Sequence, residues 1–335
     1  MSPLSVGVIG YGLVGKRRIH YILKNKKLKL RFVSDTKFKK NFSQNKVLFF
    51  KNYLNLIKKK PDIVFVTLPN YLAPKVTKLC LKKKIHVFCE KPPGRNVSDI
   101  LSVIRQEKKN KKIKLKYGFN HRYHGSIKKA KIIIDDLRFG RILNIRGVYG
   151  KSKIVTFGKN EWRSSRKKAG GGILLDQGIH MLDLIYFYAG KFEKFKSFIS
   201  NKFWKYGVED SAFALMKNKQ GIVASIHSTA TQWKHKFNIE ITLEKATIIL
   251  SGILSGSKSY GKEKLIILQK QNNKFYKKTF RYNKDYSWKE EISEFVDIVI
   301  KDKKVVNGNS NQALEVMKMV KNIYKNDKDW IRKII

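Results

Sequence analysis

The sequence predicts an α/β protein. An N-terminal Rossmann-type doubly wound parallel sheet is followed by an α+β domain with a large, mostly antiparallel open sheet. Three observations carry this reading. A strand, a glycine loop and a helix pattern open the chain: Leu4 to Ile9, then Gly10-Tyr11-Gly12-Leu13-Val14-Gly15, then a segment through Leu23. Strand and helix patterns then alternate to about residue 119, the rhythm of a parallel sheet covered by helices on both faces. Beyond that point strand patterns follow one another with few helices between, as antiparallel sheets do.

Length and composition set the bounds. A chain of 335 residues holds about two domains, each able to bury a core. We place them at 1–119, a dinucleotide-binding domain, and 120–335, a domain for substrate binding and oligomerisation. The C-terminal helix is expected to pack back on the first. An apolar content of 42% is ordinary for a globular protein. No run of about 18 apolar residues exists, so no transmembrane helix and no membrane partner is expected. The opening MSPLSVGVIG lacks a basic segment ahead of an apolar core, which predicts no signal peptide and a cytoplasmic location. Cys80 and Cys89 sit in apolar surroundings and are expected to be buried, reduced thiols. The net charge is +48, from 73 basic and 25 acidic residues. The lysines are spread along the chain and gathered in no tail or helix. We therefore expect a solvated basic coat that attracts anionic ligands and no specific nucleic-acid site.

Each element then has a local reason. The glycines after the first strand permit a tight turn and close approach to a pyrophosphate, and the following helix offers free N–H groups. Lys16, Arg17 and Arg18 could add cations near phosphate. The second strand, Leu28 to Ser34, ends at Asp35, where a dinucleotide fold hydrogen-bonds the adenosine ribose. A helix over Asn52 to Lys59 precedes a buried strand, Asp62 to Thr67, which Leu68-Pro69-Asn70 breaks. A helix from Ala73 to Lys83 leads to a strand, Ile85 to Cys89, ending in Glu90-Lys91-Pro92-Pro93. A helix from Ser98 to Lys109 leads to Lys114 to Phe119. Ligands of doubly wound sheets sit at the carboxyl ends of the strands. The candidate cofactor-binding set is accordingly Gly10, Gly12, Leu13, Val14, Gly15, Asp35, Thr67, Leu68, Pro69, Asn70, Glu90 and Lys91. Asp35 favours NAD, because NADP would bring a phosphate against a carboxylate; Thr36, Lys37, Lys39 and Lys40 oppose that preference in part.

In the second half, Ile142 to Tyr149, Ser211 to Met216, Gly221 to Thr229 and Phe237 to Leu243 alternate as strands, with further candidates to Phe280. Ser287 to Lys301 and Asn311 to Tyr324 read as helices. The stretch Gly170-Gly171-Gly172-Ile173-Leu174-Leu175-Asp176-Gln177-Gly178-Ile179-His180 opens a helix whose Leu175, Ile179 and Leu182 form a buried row. Asp176 and His180, four apart, are expected on one face of it. An imidazole titrates near neutrality and a carboxylate orients it, so the pair suits proton transfer. Asp176, His180 and Asp183 could bind a metal, but without a further His or Cys cluster none is expected. Trp162 and Arg163 could stack on and hydrogen-bond a sugar or phosphate, within a loop over Lys151 to Lys168. His121 and His124 flank Arg122-Tyr123 and could line a site or be solvated.

Together these pieces resemble the Gfo/Idh/MocA oxidoreductases, the family of glucose–fructose oxidoreductases and inositol dehydrogenases. The matching parts are Gly10–Gly15, Glu90-Lys91-Pro92, Gly170-Gly171-Gly172 with Asp176 and His180, Val208-Glu209-Asp210 and the terminal helices. The resemblance implies a nicotinamide-binding first domain and activity on a sugar, cyclitol or nucleotide-sugar carbinol. It implies Lys91, Asp176 and His180 as catalytic residues, with His180 the general base. Arg122, Tyr123, Trp162 and Arg163 would join these three in binding substrate. Other functions on this fold are cofactor-assisted glycoside cleavage and non-catalytic nicotinamide sensing. Two positions depart from the pattern: Tyr71-Leu72-Ala73-Pro74 follows Asn70 where many members carry a His, and Arg18 stands where many carry another. Two-sided apolar strands, Phe213 to Ile226 and Ile239 to Leu250, predict a homodimer or homotetramer packed through its sheets.

Overall fold

The computed structural model describes residues 2–152, 158, 161–255 and 260–332. The chain forms two compact units, residues 1–119 with 288–314, and 120–287 with 315–335.

In the first unit, β1 (Leu4–Ile9), α1 (Leu13–Leu23), β2 (Leu28–Ser34), β3 (Phe42–Gln44), β4 (Val47–Phe50) and α2 (Tyr53–Lys58) come first. Then follow β5 (Ile63–Val66), α3 (Ala73–Lys82), β6 (His86–Glu90), α4 (Val97–Glu107) and β7 (Leu115–Gly118). The strands make one sheet in the order β3-β4-β2-β1-β5-β6-β7. Every neighbouring pair is parallel except β3 with β4. The β3–β4 hairpin escaped the sequence reading. Its turn is Asn45-Lys46, with φ of 50° and 62°; a two-residue turn of this kind needs two left-handed residues, and no glycine marks it.

Val6, Val8, Phe65 and Phe88 form a core with Ile292, Phe295 and Val296 of the helix Ser287–Ile300. Burying each such side chain contributes about 1.5–3 kcal/mol. That is why residues 288–314, which the sequence assigned to the second domain, cluster with the first. Cys80 and Cys89 are free and fully buried, and burial pushes both thiols up to about 12. They are packing residues, not nucleophiles.

The second unit opens with a single 3-10 turn, Asn120–Tyr123, and α5 (Gly125–Asp135), a helix the sequence reading missed. β8 (Ile142–Ser152) follows, then a second 3-10 turn at Trp162–Ser164 and α6 (Arg166–Ala169). The loop expected over Lys151 to Lys168 lies partly outside the described residues. A π-helical turn at Leu174–Gly178 leads into α7 (Ile179–Ala189). β9 (Lys194–Ser200), β10 (Ser211–Lys217), β11 (Val223–Gln232), β12 (Lys236–Leu243), β13 (Thr247–Ser251), β14 (Glu263–Gln271) and β15 (Lys274–Tyr282) complete the sheet. Its order is β15-β14-β13-β12-β8-β11-β10-β9, antiparallel throughout except for β8 beside β11. Alternate residues of β12, Phe237, Ile239, Ile241 and Leu243, are buried, the period of two that a covered sheet face requires. On β9 and β10, Phe198, Phe213 and Leu215 are at least half exposed. Among the described residues, no helix is long and apolar enough to cross a membrane.

Candidate active site

The glycine loop of the first unit has the shape a dinucleotide needs. Gly10 has φ +103°, and a Cβ there would lie 2.4 Å from the Thr67 carbonyl oxygen; one on Gly15 would lie 1.9 Å from the Gly10 carbonyl oxygen. Backbone therefore packs on backbone, and only glycine fits. A Cβ on Gly12 would meet nothing within 4 Å, and no side chain caps α1 behind it. The helix thus starts with its N–H groups and positive dipole end beneath open space, which suits a pyrophosphate. Leu13 is 79% exposed beside this opening, and Val14 is half-buried. The Thr67 hydroxyl donates to the Gly10 carbonyl at 2.7 Å and so ties β5 to the loop.

Asp35 is held where the sequence placed it. Its Oδ2 accepts from the Tyr11 backbone N–H at 2.7 Å and its Oδ1 from that of Lys37 at 2.9 Å. Each carboxylate oxygen keeps a further lone pair for a ribose hydroxyl. Leu68 and Pro69 are half-buried and Asn70 is buried; the Pro69 carbonyl accepts from Leu72 and Ala73 at the start of α3. Lys91 is half-buried after β6, at a cis Lys91–Pro92 bond.

One expectation in this unit changes. Arg18 does not face the loop as a phosphate cation. It is fully buried, with Nε on Glu90 Oε1 at 2.6 Å and Nη2 on Glu291 Oε2 at 2.7 Å. Its guanidinium lies 4.3 Å from the Phe88 ring centre and 4.2 Å from that of Trp288. Burial works against the charge of Arg18, but the two carboxylates outweigh it and raise its pKa further. Glu90, expected to touch cofactor, gives one oxygen to that ion pair.

The second unit carries Asp176 and His180, the candidate acid/base residues. The Gly172 backbone lies so close to Glu209 that a Cβ would fall 2.0 Å from the Glu209 carbonyl oxygen. Glu209 then accepts from the N–H groups of Gly172 at 2.8 Å and Leu174 at 3.0 Å, and from the Tyr324 hydroxyl at 2.7 Å. The buried Glu209 of the Val208-Glu209-Asp210 motif is thus a clamp on the start of the Asp176 turn. Asp210 Oδ2 accepts from the N–H groups of Phe203 and Trp204 at 2.7 and 2.8 Å.

Sequence reasoning expected one α-helix carrying Asp176 and His180. The stretch is instead a π turn, with Glu209 bonded at its start and α7 following from Ile179. Asp176 is half-buried, 3.8 Å from Arg163 Nε, and Arg163 lies 4.4 Å from the ring centre of the half-buried Trp162. Trp162, Arg163 and Asp176 are therefore neighbours.

His180 is 5% exposed. Its ring stacks on that of His121, with centroids 3.7 Å apart and planes 14° apart. His121 Nε2 meets the Tyr149 hydroxyl at 3.1 Å and its Nδ1 meets Asn120 Oδ1 at 3.3 Å. The Tyr260 hydroxyl donates to Gln177 Oε1 at 3.1 Å, and the Tyr260 ring lies edge-on to Tyr149 at 5.3 Å. Burial drives Tyr149 well above the usual phenol range and Tyr260 up to about 12, so both are O–H donors at neutral pH. Tyr149, Tyr260, Gln177 and Asn120 were missed in the sequence. The available signal was Tyr149 at an inward position of β8, with Ile145 and Gly147.

Arg122 departs from expectation too. Its Nε and Nη2 engage the two oxygens of Asp183 at 2.9 and 2.5 Å, both side chains are buried, and Phe187 lies 5.0 Å beneath the guanidinium. Burial again opposes its charge and Asp183 overcomes it, so its pKa rises. Tyr123 is 9% exposed, beside it in sequence. His124, weighed as a solvated loop residue, is buried, with Nδ1 2.9 Å from Glu263 Oε2. Among the described residues, no three His, Cys, Asp or Glu side chains are grouped to hold a metal.

Comparison with known proteins agrees with this architecture. Residues 4–119 match an oxidoreductase family with an NAD-binding Rossmann fold, and residues 127–249 match a GFO/IDH/MocA C-terminal domain. D-glucoside 3-dehydrogenase of Escherichia coli K12 is 30% identical over 229 residues, 63% of this chain and 60% of that protein. Myo-inositol 2-dehydrogenase of Thermotoga maritima is 27% identical over 183 residues, 52% of each. The chain thus spans between half and two thirds of the length of these relatives. Levoglucosan dehydrogenase, solved with NADH and levoglucosan, superposes with a TM-score of 0.84 at 17% identity over 98% of each chain, a likeness of fold.

Proposed function

The chain belongs to the Gfo/Idh/MocA oxidoreductase family, and on that premise we propose that it is an NAD-dependent dehydrogenase acting on a secondary carbinol of a sugar, cyclitol or nucleotide-linked sugar. The observation that carries this reading is the buried His180 imidazole, held against His121 one turn beyond the half-buried carboxylate of Asp176. A bound nicotinamide supplies the hydride acceptor. Gly10 to Gly15, with the free N–H groups of α1, would hold its pyrophosphate, and Asp35 the adenosine ribose. His180 takes the hydroxyl proton as the carbon is oxidised. The Lys91 ammonium stabilises the negative charge that develops on the oxygen. Asp176, positioned beside Arg163 and Trp162, accepts hydrogen bonds from sugar hydroxyls and orients the carbinol. The test is a panel of free, phosphorylated and nucleotide-linked sugars and cyclitols with either cofactor, followed at the reduced-nicotinamide absorbance. Reduction with at least one secondary alcohol is expected; cofactor recycled without net reduction would identify glycoside cleavage instead.

Cofactor choice follows from Asp35. Two anions about 4 Å apart repel by about 1–4 kcal/mol at effective dielectrics of 80 to 20. That corresponds to a preference for NAD of about fivefold to several hundredfold. Backbone hydrogen bonds to both oxygens fix Asp35, whereas Lys37, Lys39 and Lys40 are solvated, so the carboxylate prevails by a reduced margin. Paired dissociation constants for NADH and NADPH check this. Wild type should favour NADH and Asp35→Ser should move toward NADPH; equal binding in wild type would defeat it.

The same reading includes assembly as a symmetric homodimer, with a tetramer as its further pairing. Phe198, Phe213 and Leu215 leave an apolar stripe on β9 and β10, and exposed apolar patches mark interaction surfaces, here one that suits a symmetric partner. Light scattering at micromolar concentration should give at least twice the chain mass. A monomer would count against it.

A further inference from the structure

We propose that His121 is a positioning residue for His180, fixing the plane of its imidazole and disfavouring its protonation, so that His180 stays a base at neutral pH. The proposal rests on the assignment of His180 as general base and goes beyond it. Ring centroids 3.7 Å apart at 14° leave no N–H···N line between the imidazoles, so the contact is a stack and carries no proton. Its effect is steric and electrostatic. His121 is anchored at both nitrogens, by Asn120 Oδ1 at 3.3 Å and Tyr149 at 3.1 Å. Asn120 is held in turn, with Nδ2 on the Ser287 hydroxyl at 3.3 Å, and that hydroxyl on Asp285 Oδ1 at 2.6 Å. The His121 ring is therefore a fixed plate against which His180 can lie in one orientation.

The electrostatic part follows from spacing. Two imidazolium rings face to face repel strongly, so the pair takes up protons one at a time and the second proton is disfavoured. His121 accommodates a proton well: Nδ1–H would donate to Asn120 Oδ1 and Nε2–H to the Tyr149 oxygen. His180 is the ring that remains neutral. Among the described residues, the ionisable groups beside the pair are mostly neutral or paired. Tyr149 from β8 and Tyr260 before β14 are neutral phenols at neutral pH. His124, whose ring centre is 5.6 Å from that of His121, is paired with Glu263 of β14. Arg122 and Asp183 neutralise each other; the Asp176 carboxylate, 3.8 Å from Arg163 Nε, also acts on Tyr149 and Tyr260 and opposes the effect of His121 in part.

The experiment is a histidine titration by NMR on the full chain labelled at its seven histidines, in wild type, His121→Phe and His121→Ala, with His180→Ala to assign the resonance. Phenylalanine keeps the stack and removes the charge. The His180 midpoint should rise by about one pH unit or more in His121→Phe. The acid limb of kcat/KM should move the same way. His121→Ala, which removes the plate as well, should lower kcat about 10- to 100-fold with a smaller change in KM. An unchanged or lower midpoint in a folded His121→Phe protein that still binds NADH overturns the proposal. If His180→Ala keeps full turnover, the general-base assignment falls; the titration needs no substrate and decides the influence of His121 on its own.

Discussion

Replacing His180 with alanine is expected to lower turnover about 100- to 10,000-fold, the usual contribution of a positioned general base. NADH affinity should stay within about twofold of wild type, because the change removes an interaction made only as the proton moves. His180 lies in the second unit, on α7, while the glycine loop and Asp35 lie in the first. A variant that loses NADH affinity and keeps turnover would remove His180 from the chemistry. Lys91→Met should also slow turnover. It differs from His180→Ala in weakening cofactor binding as well, since Lys91 directly follows β6, which lies beside β5 in the sheet that carries the glycine loop.

The second large effect concerns Arg122 and Asp183. Both are buried, the contact is bidentate, and Arg122→Ala would leave the Asp183 carboxylate without that partner in the interior. Breaking a buried pair from one side costs about 3–5 kcal/mol. In a unit of this size that lowers the melting temperature by about 6–20 °C. Near-ultraviolet circular dichroism on heating reads the loss. The paired change Arg122→Met with Asp183→Leu should recover much of it, because no charge then remains buried. If Arg122 instead served substrate, as its place in the sequence suggested, Arg122→Ala would raise KM and leave melting within about 2 °C.

That contrast shows what the sequence disclosed and what it withheld. The glycine loop, Asp35 and the Asp176–His180 stretch were legible because each depends on local spacing. A tight turn needs glycine, a strand end needs a carboxylate at a set distance, and a helix repeats every three to four residues. The partners of Arg18 and Arg122 were not legible, because Glu291 lies 273 positions from Arg18 and Asp183 lies 61 from Arg122. A cation beside a ligand loop reads as a phosphate group until its distant carboxylate is known. The π turn was hidden for a similar reason: its clamp, Glu209, is 37 residues from Gly172. Tyr149 was hidden because a single inward residue of a β-strand resembles any other core position. The Asn45-Lys46 hairpin was hidden because Lys46 takes a left-handed conformation that lysine rarely adopts, and Asn45 without a following glycine is a weak turn signal.

The reaction proposed for this chain is oxidation of a secondary carbinol with delivery of the hydride to nicotinamide, His180 taking the proton. The most direct measurement follows the isotope. Wild-type protein is mixed with NAD and members of the sugar and cyclitol panel that carry deuterium at each carbinol carbon, and the cofactor is analysed by mass spectrometry. Reduced cofactor carrying the deuterium should form with at least one substrate and fall by about 100-fold or more with His180→Ala. Cofactor that binds but stays oxidised across the whole panel, or reduced cofactor that never carries the label, would contradict the claim.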